Sequence, residues 1–369
     1  MSFAWKRNPE KVLGGSYMKT TNLSALQKGV DRRTFLKLSG MLGLGAAAVP
    51  VLATQAEAVR FNRDEHKVSM TRVAMGTFVS MTLIHPSRDE AQEAMGRAFD
   101  EVDRLSRELS RFDGATAVSH LNTEGTLRDV PPELADVIER SLRYYRLSNG
   151  CFDITVKPIV DLFQASFDMS GQAQTLEPNL EKVLPYIGAD KILFSGRTLR
   201  FAEPGMGITL DGIAKGYIVD RASEVLTRLG IRNHLINAGG DIRTCGAKEH
   251  HKPWSIAIQD PQKQKRYPDV IRLGDGAIAT SGNYEVYYDH EKMFHHIVNP
   301  KNGHSPLQSS SVSVCAATTM DADALSTAVF VMEPAQGLRF IETLPRCEAF
   351  ILTKADNKFK TSGWGCQAI

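Results

Sequence analysis

The chain has 369 residues, of which 42% are apolar and 23% charged, enough for one large core or two closely packed lobes. Its five cysteines are odd in number and form no Cys-x-x-Cys pair, which argues against a disulfide framework and a zinc site. The formal charge is only +2, and no basic stripe with interleaved aromatics follows residue 58, so nucleic acid is not an expected partner.

Residues 1–58 are expected to form a leader with a twin-arginine signal peptide. The string Arg32-Arg33-Thr34-Phe35-Leu36-Lys37 precedes an apolar run rich in Gly and Ala, and Ala56-Glu57-Ala58 is typical of a cleavage site. This segment holds eight Lys or Arg and three Asp or Glu, so its removal lowers the formal charge from +2 to −3. The expected mature chain, residues 59–369, is then periplasmic and has no membrane span.

The remaining chain predicts strands and helices in mixed order. Residues 68–84 alternate as strand, with an interruption at Met75-Gly76-Thr77, and a helix follows the cap Ser87. Later helices are expected from Pro131-Pro132, within 178–190, after Lys215, and at Asp321–Met332 and Pro334–Leu344. Further strands are expected at Lys191–Phe194, Thr198–Phe201, Gly205–Leu210, His234–Ile236, Trp254–Ile258, Ala277–Thr280, His295–Val298, Ser311–Ala316 and Ala349–Thr353. The order predicts an α+β (mixed α/β) domain.

The segment Leu210–Tyr217 has the pattern of a strand that turns tightly into a helix. A glycine-rich turn at a helix start offers free backbone N–H groups and the positive end of the helix dipole, which suits a phosphate. Lys215 adds a positive charge there, and Gly212 lets the backbone approach a ligand or a metal. The segment is neither a Walker loop nor a dinucleotide fingerprint, and such a short turn is more often structural.

Asp323 and Thr327 are four residues apart at the start of a predicted helix and therefore share one face. A carboxylate and a hydroxyl in this arrangement can bind a hard cation such as Mg²⁺, which prefers oxygen ligands. The alternative is a capping aspartate with a threonine that bonds back to its own helix.

Other short motifs are individually weak. Phe152-Asp153-Ile154-Thr155-Val156 predicts a half-buried strand with a carboxylate at a turn, and His295-His296 lies on a predicted apolar strand. Taken together, seven motifs resemble the ApbE family in order and spacing over residues 68–355. They are Met75-Gly76-Thr77, Phe152–Val156, Gly212–Tyr217, Asn237–Ile242, Ala279–Gly282, His296–Pro300 and Ala322–Ala328.

The resemblance implies a flavin transferase that binds FAD and Mg²⁺ and passes FMN to a Thr or Ser hydroxyl of a target protein, with release of AMP. It also implies a single ApbE-like domain at residues 59–369. The cation would be held by the backbone carbonyl of Gly212 and the side chains of Asp323 and Thr327. FAD would contact the residues that match the family's flavin-binding motifs, with Phe112 as the counterpart of a stacking aromatic. The matching residues are Met75, Phe152, Asp153, Ile154, Thr209, Lys215 and Ile297.

Two positions depart from the family pattern. Thr209 stands where the family commonly has an aspartate that contacts FAD, and a carboxylate is present instead at Asp211. Asn299 replaces an acid. Asp323 and Lys215 are the expected catalytic groups, because bound Mg²⁺ and a lysine can stabilise phosphate charge. Candidates for the base are Asp211, Asp241 and His296, and the sequence does not choose among them.

Three other functions remain open at this point. The same site could act as an FAD pyrophosphatase with water as the acceptor. The chain could also be a flavin-binding maturation factor without turnover. Asp113-Gly114-Ala115-Thr116 faintly resembles a flavinylation acceptor, which would make the chain a self-modified flavoprotein.

Overall fold

Fourteen strands and eight helices are assigned in the described residues of the computed structural model, which are 57–60, 65–167, 176–248, 252–262, 267–284, 288 and 293–365. The strands are β1 Glu57–Arg60, β2 His66–Ala74, β3 Thr77–His85, β4 Thr126–Leu127, β5 Ile192–Ser195, β6 Thr198–Phe201, β7 Asn233–Ala238, β8 Asp241–Cys245, β9 Trp254–Ala257, β10 Val270–Leu273, β11 Gly276–Gly282, β12 Ser309–Ala316, β13 Glu348–Thr353 and β14 Lys358–Lys360. The helices are α1 Arg88–Glu108, α2 Ala117–Glu124, α3 Pro132–Leu147, α4 Lys157–Ser166, α5 Leu176–Val183, α6 Ala214–Arg228, α7 Thr319–Val331 and α8 Pro334–Glu342.

A nine-stranded antiparallel sheet with the order β1-β2-β3-β7-β8-β11-β12-β13-β14 forms the centre of the fold. Residues alternate between its two faces. On β12, Val312 and Val314 join the large core that includes the helices, whereas Cys315 joins a second apolar cluster on the opposite face. The β9–β10 hairpin supplies Ile256 and Ile271 to that second cluster, so both faces of the sheet are covered.

Helix α7 is the most deeply buried helix that the site uses. It carries apolar residues all round, and it packs against β11, β12 and α6. A helix without a polar face belongs in the interior. Of its polar side chains, Asp323 and Ser326 are buried, and Asp321 and Thr327 are half-buried.

The α+β class predicted from sequence is confirmed, and most elements lie where the pattern placed them. Ser87 caps α1 by accepting a hydrogen bond from the Glu90 N–H at 3.3 Å, as expected. The Met75-Gly76 interruption is the turn between β2 and β3, where Met75 has φ 53° and Gly76 has φ 69°.

Three predicted strands are wrong. Residues 205–210 are irregular, because the backbone of Ile208 pairs with the Asn122 side-chain amide (3.0 and 2.7 Å) instead of with a strand. Residues 295–298 form no extended strand, and the main-chain N–H of His295 donates to Ser305 Oγ at 2.9 Å. Residues 154–156 form a 3₁₀ turn that begins at Asp153, whose carboxylate accepts the Thr155 N–H at 2.7 Å.

Of the expected leader, only residues 57 and 58 are among the described residues. Within the described part of the chain, no helix is long and apolar enough to cross a bilayer.

Candidate active site

An open cleft, continuous with solvent, lies where four segments meet. These are the 151–156 segment, the 209–215 turn, the end of β11 with α7, and the 296–300 loop. Its lining combines charged, hydroxyl and apolar groups, a composition that suits a polar organic ligand. Eleven of the residues expected from sequence line it: Phe152, Asp153, Ile154, Thr209, Asp211, Gly212, Lys215, His296, Ile297, Asp323 and Thr327.

Helix α6 and the first turn of α7 are in direct backbone contact beside the cleft. A Cβ on Gly216 would lie 2.4 Å from the Thr319 carbonyl oxygen, so only glycine allows this approach. The Gly216 N–H donates to Asp323 Oδ2 at 3.0 Å, and the Ala214 N–H donates to the Leu210 carbonyl at 2.8 Å. The expectation of freely available N–H groups at this helix start is thus wrong for these two amides.

Asp323, Thr327 and Gly212 come together at the cleft wall. A Cβ on Gly212 would lie 3.0 Å from Thr327 Oγ1, so the Gly212 backbone faces that hydroxyl directly. The Thr327 hydroxyl lies 3.3 Å from Ser281 Oγ, and Asp323 is only 5% exposed. Among the described residues no group of three His, Cys, Asp or Glu forms a metal cluster. One buried carboxylate with neutral oxygens nevertheless fits Mg²⁺, which is bound through one or two carboxylates and keeps substrate oxygens and water as ligands.

Asp323 is not the helix cap that the alternative interpretation required. That cap is Thr318, whose side chain accepts the Asp321 N–H at 3.1 Å. The two carboxylates of this helix also differ in surroundings. Asp321 accepts the Tyr144 hydroxyl at 2.7 Å and lies 3.3 Å from Arg140, whereas Asp323 lines the cleft.

Lys215 projects from the first turn of α6 and pairs with Asp241 across the cleft wall. Their Nζ and Oδ2 atoms are 3.0 Å apart, and the side chains are 22% and 2% exposed. Burial raises the pKa of the Asp241 carboxyl, while the Lys215 ammonium opposes that rise. This carboxylate therefore fixes the lysine in place, and its enclosure makes it a poor candidate for the base.

Asp153 lines the cleft from the 151–156 segment. It is 7% exposed, and its carboxylate accepts the Thr155 hydroxyl at 2.6 Å and the Ala189 N–H at 3.2 Å. Burial raises the pKa of Asp153 to about 6, although the bonds from Thr155 oppose the rise. The carboxylate thus holds its own segment in shape, between the buried Phe152 and Ile154.

Thr209 and Asp211, which together form the first departure from the family pattern, occupy different environments. Thr209 is buried, and its N–H donates to the Ile154 carbonyl at 2.8 Å. Asp211 is half-exposed at the cleft rim, where it pairs with Arg111 at 3.4 Å. The same guanidinium lies 4.3 Å from the ring centre of Phe112, which is 75% exposed.

Three residues are candidates for the base. Asp241 is paired with Lys215, and Asp211 is paired with Arg111. His296 belongs to neither ion pair, is half-buried and lines the cleft. Its neighbour His295 is fully buried against Phe330 and contacts the Pro306 carbonyl through Nε2 at 3.0 Å. That histidine has a structural role.

Two expected flavin contacts, Met75 and Phe112, do not line the cleft, and their role stays a prediction. Sequence reasoning gave no role to the Ser281 side chain and overlooked Arg111, the partner of Asp211. Neither has a local signal, because each partner is distant in sequence.

Thr116, the alternative acceptor, is 8% exposed and caps α2, which argues against self-modification.

Comparison with known proteins places this cleft in a family context. A family model described as the ApbE family matches residues 75–351. An FAD:protein FMN transferase of Haemophilus influenzae is 32% identical over 69% of this chain and 74% of its own, and one of Vibrio cholerae is 30% identical over 81% and 91%. Among solved structures, the ApbE protein of Thermotoga maritima matches with a TM-score of 0.73, at 27% identity over 81% of this chain and 98% of its own. The flavin transferase ApbE from Vibrio cholerae matches at 0.69, with 26% identity over 84% and 98%.

Proposed function

This chain belongs to the ApbE family and is a transferase, and on that basis we propose that it transfers FMN from FAD to a Thr or Ser hydroxyl of a target protein, with release of AMP. The observation that carries the proposal is the meeting of Lys215, Asp323 and Thr327 at one cleft. The elements that bring them there, α6 and α7, are in backbone contact through Gly216.

Breaking the FAD pyrophosphate requires neutralisation of phosphate charge and alignment of the acceptor oxygen. Asp323, Thr327 and the Gly212 carbonyl would hold Mg²⁺, which neutralises charge on the phosphate oxygens when it is bound. Lys215, fixed by Asp241, supplies a second positive charge from the same wall.

The transfer forms a bond between the acceptor hydroxyl oxygen and the phosphorus of the FMN half. The phosphoanhydride bond to the AMP half breaks, and AMP leaves with the bridging oxygen. The acceptor hydroxyl gives up its proton to a base, and His296 is the proposed base because it is a half-buried imidazole that lines the cleft.

The target is proposed to be an exported or membrane-bound electron-transfer protein, which would meet this enzyme in the periplasm. The support for this location is the twin-arginine pattern at Arg32-Arg33. A fusion of residues 1–58 to a reporter that folds before export tests it, with Arg32→Lys/Arg33→Lys as the control. Export of the parent fusion alone is expected, and equal export of both fusions would refute the twin-arginine route.

Product analysis separates the proposed transfer from its alternatives. The protein is incubated with FAD, Mg²⁺ and a peptide with one acceptor threonine, and peptide mass and AMP are measured. Transfer predicts one FMN added to the peptide for each AMP released. Free FMN and AMP with unmodified peptide would indicate a pyrophosphatase, and unchanged FAD would indicate a carrier. A peptide with alanine in place of the acceptor threonine is the matched control.

A further inference from the structure

The Asp220 carboxylate connects the two helices that form the cleft wall. It lies on α6, one helical turn after Gly216 and five residues after Lys215. It accepts the Thr319 N–H at 2.9 Å on one oxygen and the Met320 N–H at 2.8 Å on the other. Each oxygen therefore holds one of the first two amides of α7.

These bonds complete the N-terminus of α7. The first amides of a helix have no partner within it. Asp220 takes the amides of Thr319 and Met320, and the Thr318 side chain takes that of Asp321. Arg243 Nη1 lies 4.0 Å from the Asp220 carboxylate and also donates to the Ala317 carbonyl, so β8 supports the same junction.

A bidentate contact restricts both the sliding and the rotation of α7 along α6. Asp323 and Thr327 follow Thr319 by four and eight residues, so they lie about one and two turns further along the helix. A small rotation at the first turn would move both oxygen ligands relative to the Gly212 carbonyl. The bond from the Gly216 N–H to Asp323 is a further link between α6 and α7.

We propose that Asp220 is a positioning residue that presets the divalent-cation site, by fixing the N-terminus of α7 against α6 before the cation binds. This inference rests on the proposed function only for the identity of the cation site. Asp220 does not line the cleft and is not one of the expected cation ligands.

The variant Asp220→Asn tests the role with almost unchanged volume. An amide offers one acceptor oxygen, and its NH₂ group would face the second α7 amide, so one of the two bonds is lost. We expect Mg²⁺ to bind about 10- to 100-fold more weakly in calorimetry with FAD absent. The affinity for FAD, measured in EDTA, should change by no more than about twofold. This is small beside a tenfold change in affinity, which corresponds to about 1.4 kcal/mol. Excess Mg²⁺ should restore the transfer rate.

The control is Ser87→Ala, which removes the side-chain cap at the N-terminus of α1, a helix that contributes no residue to the cleft lining. It should lower the melting temperature without changing Mg²⁺ affinity. Equal Mg²⁺ affinity in Asp220→Asn and the parent would overturn the proposed role of Asp220 but not the proposed cation site. If the parent binds no Mg²⁺, both this role and the proposed cation site are overturned.

Hydrogen exchange of the parent chain gives a test that does not require a folded variant. Because the site is preset, the amides of Thr319 and Met320 should be protected before Mg²⁺ is added and should change little afterwards. Free exchange without the cation, followed by protection on binding, would show that the cation orders the junction and would overturn the proposal.

Discussion

Replacement of Lys215 by methionine should destabilise the protein by an amount that depends on pH. The Asp241 carboxylate is buried and lies 3.0 Å from the Lys215 ammonium. Removal of one partner of a buried pair costs about 3–5 kcal/mol, because it leaves an uncompensated charge. The variant can limit this cost by protonating Asp241, whose pKa in the unfolded chain is about 3.9.

The free-energy cost of protonating Asp241 sets the size of the loss of stability in Lys215→Met. At pH 7 it is about 4 kcal/mol, since each unit between pH and the unfolded pKa corresponds to about 1.4 kcal/mol. The folded variant then binds a proton that the unfolded chain has released, so its stability falls as pH rises. In the parent the Lys215 ammonium opposes this protonation, so the deficit should grow with pH, to at most about 1.5 kcal/mol at pH 5 and about 4 kcal/mol at pH 7.

Urea unfolding at pH 5, 6 and 7, followed by tryptophan fluorescence, measures this deficit. The matched control is Arg97→Met, which breaks an ion pair with Glu93 of 2.8 Å whose side chains are both more than 60% exposed. It should cost less than about 1 kcal/mol at each pH. A deficit for Lys215→Met that is small, or independent of pH, would show that Asp241 is already neutral beside the lysine.

Burial lowers the pKa of His234 from 6.5 to about 4, so acidification from pH 6.5 to 4 should cost the parent about 3 kcal/mol of unfolding free energy at this site. Urea unfolding of His234→Asn should lack that loss, and an unchanged pH profile would contradict the assignment. Gly216→Ala should lower the free energy of unfolding by about 1–3 kcal/mol and impair Mg²⁺ binding, because the new Cβ would meet the backbone of α7. Its control is Gly96→Ala, at an open position of α1, which should be neutral or stabilising in the same unfolding measurement. Asp211→Asn removes a negative charge from the cleft rim and leaves Arg111 with Asp161 as its carboxylate partner, so FAD should bind several-fold more tightly at low salt by fluorescence titration. Weaker binding would instead indicate a direct contact between Asp211 and FAD.

Local sequence signals were sufficient for the helices that carry the site. The periodicity after Lys215 predicted α6, and the spacing of Asp323 and Thr327 placed two oxygen groups on one face of α7. Gly212 was expected to approach a ligand, and the structure places it against Thr327. These features depend on neighbours within four residues or on the absence of a side chain, and both can be recognised in one sequence.

The error at residues 205–210 lies where a side chain distant in sequence holds the backbone, whereas the turn at residues 154–156 is held locally by Asp153. Residues 205–210 are apolar like a strand, but Asn122, more than 80 residues away, binds the Ile208 backbone. The capping of α7 by Asp220 spans about 100 residues, and so does the pairing of Arg111 with Asp211. Propensity and periodicity describe only local preferences, so such pairings appear only in the folded chain.

The most direct test of the account compares Asp323→Asn with Asp321→Asn in FMN transfer to an acceptor peptide. Both carboxylates lie on α7, but Asp323 lines the cleft and Asp321 bonds to Tyr144. We expect Asp323→Asn to lose transfer by on the order of 100-fold or more with its melting temperature retained, while Asp321→Asn stays within about threefold of the parent. Equal transfer rates for the two variants would contradict the assignment of this cleft as the active site.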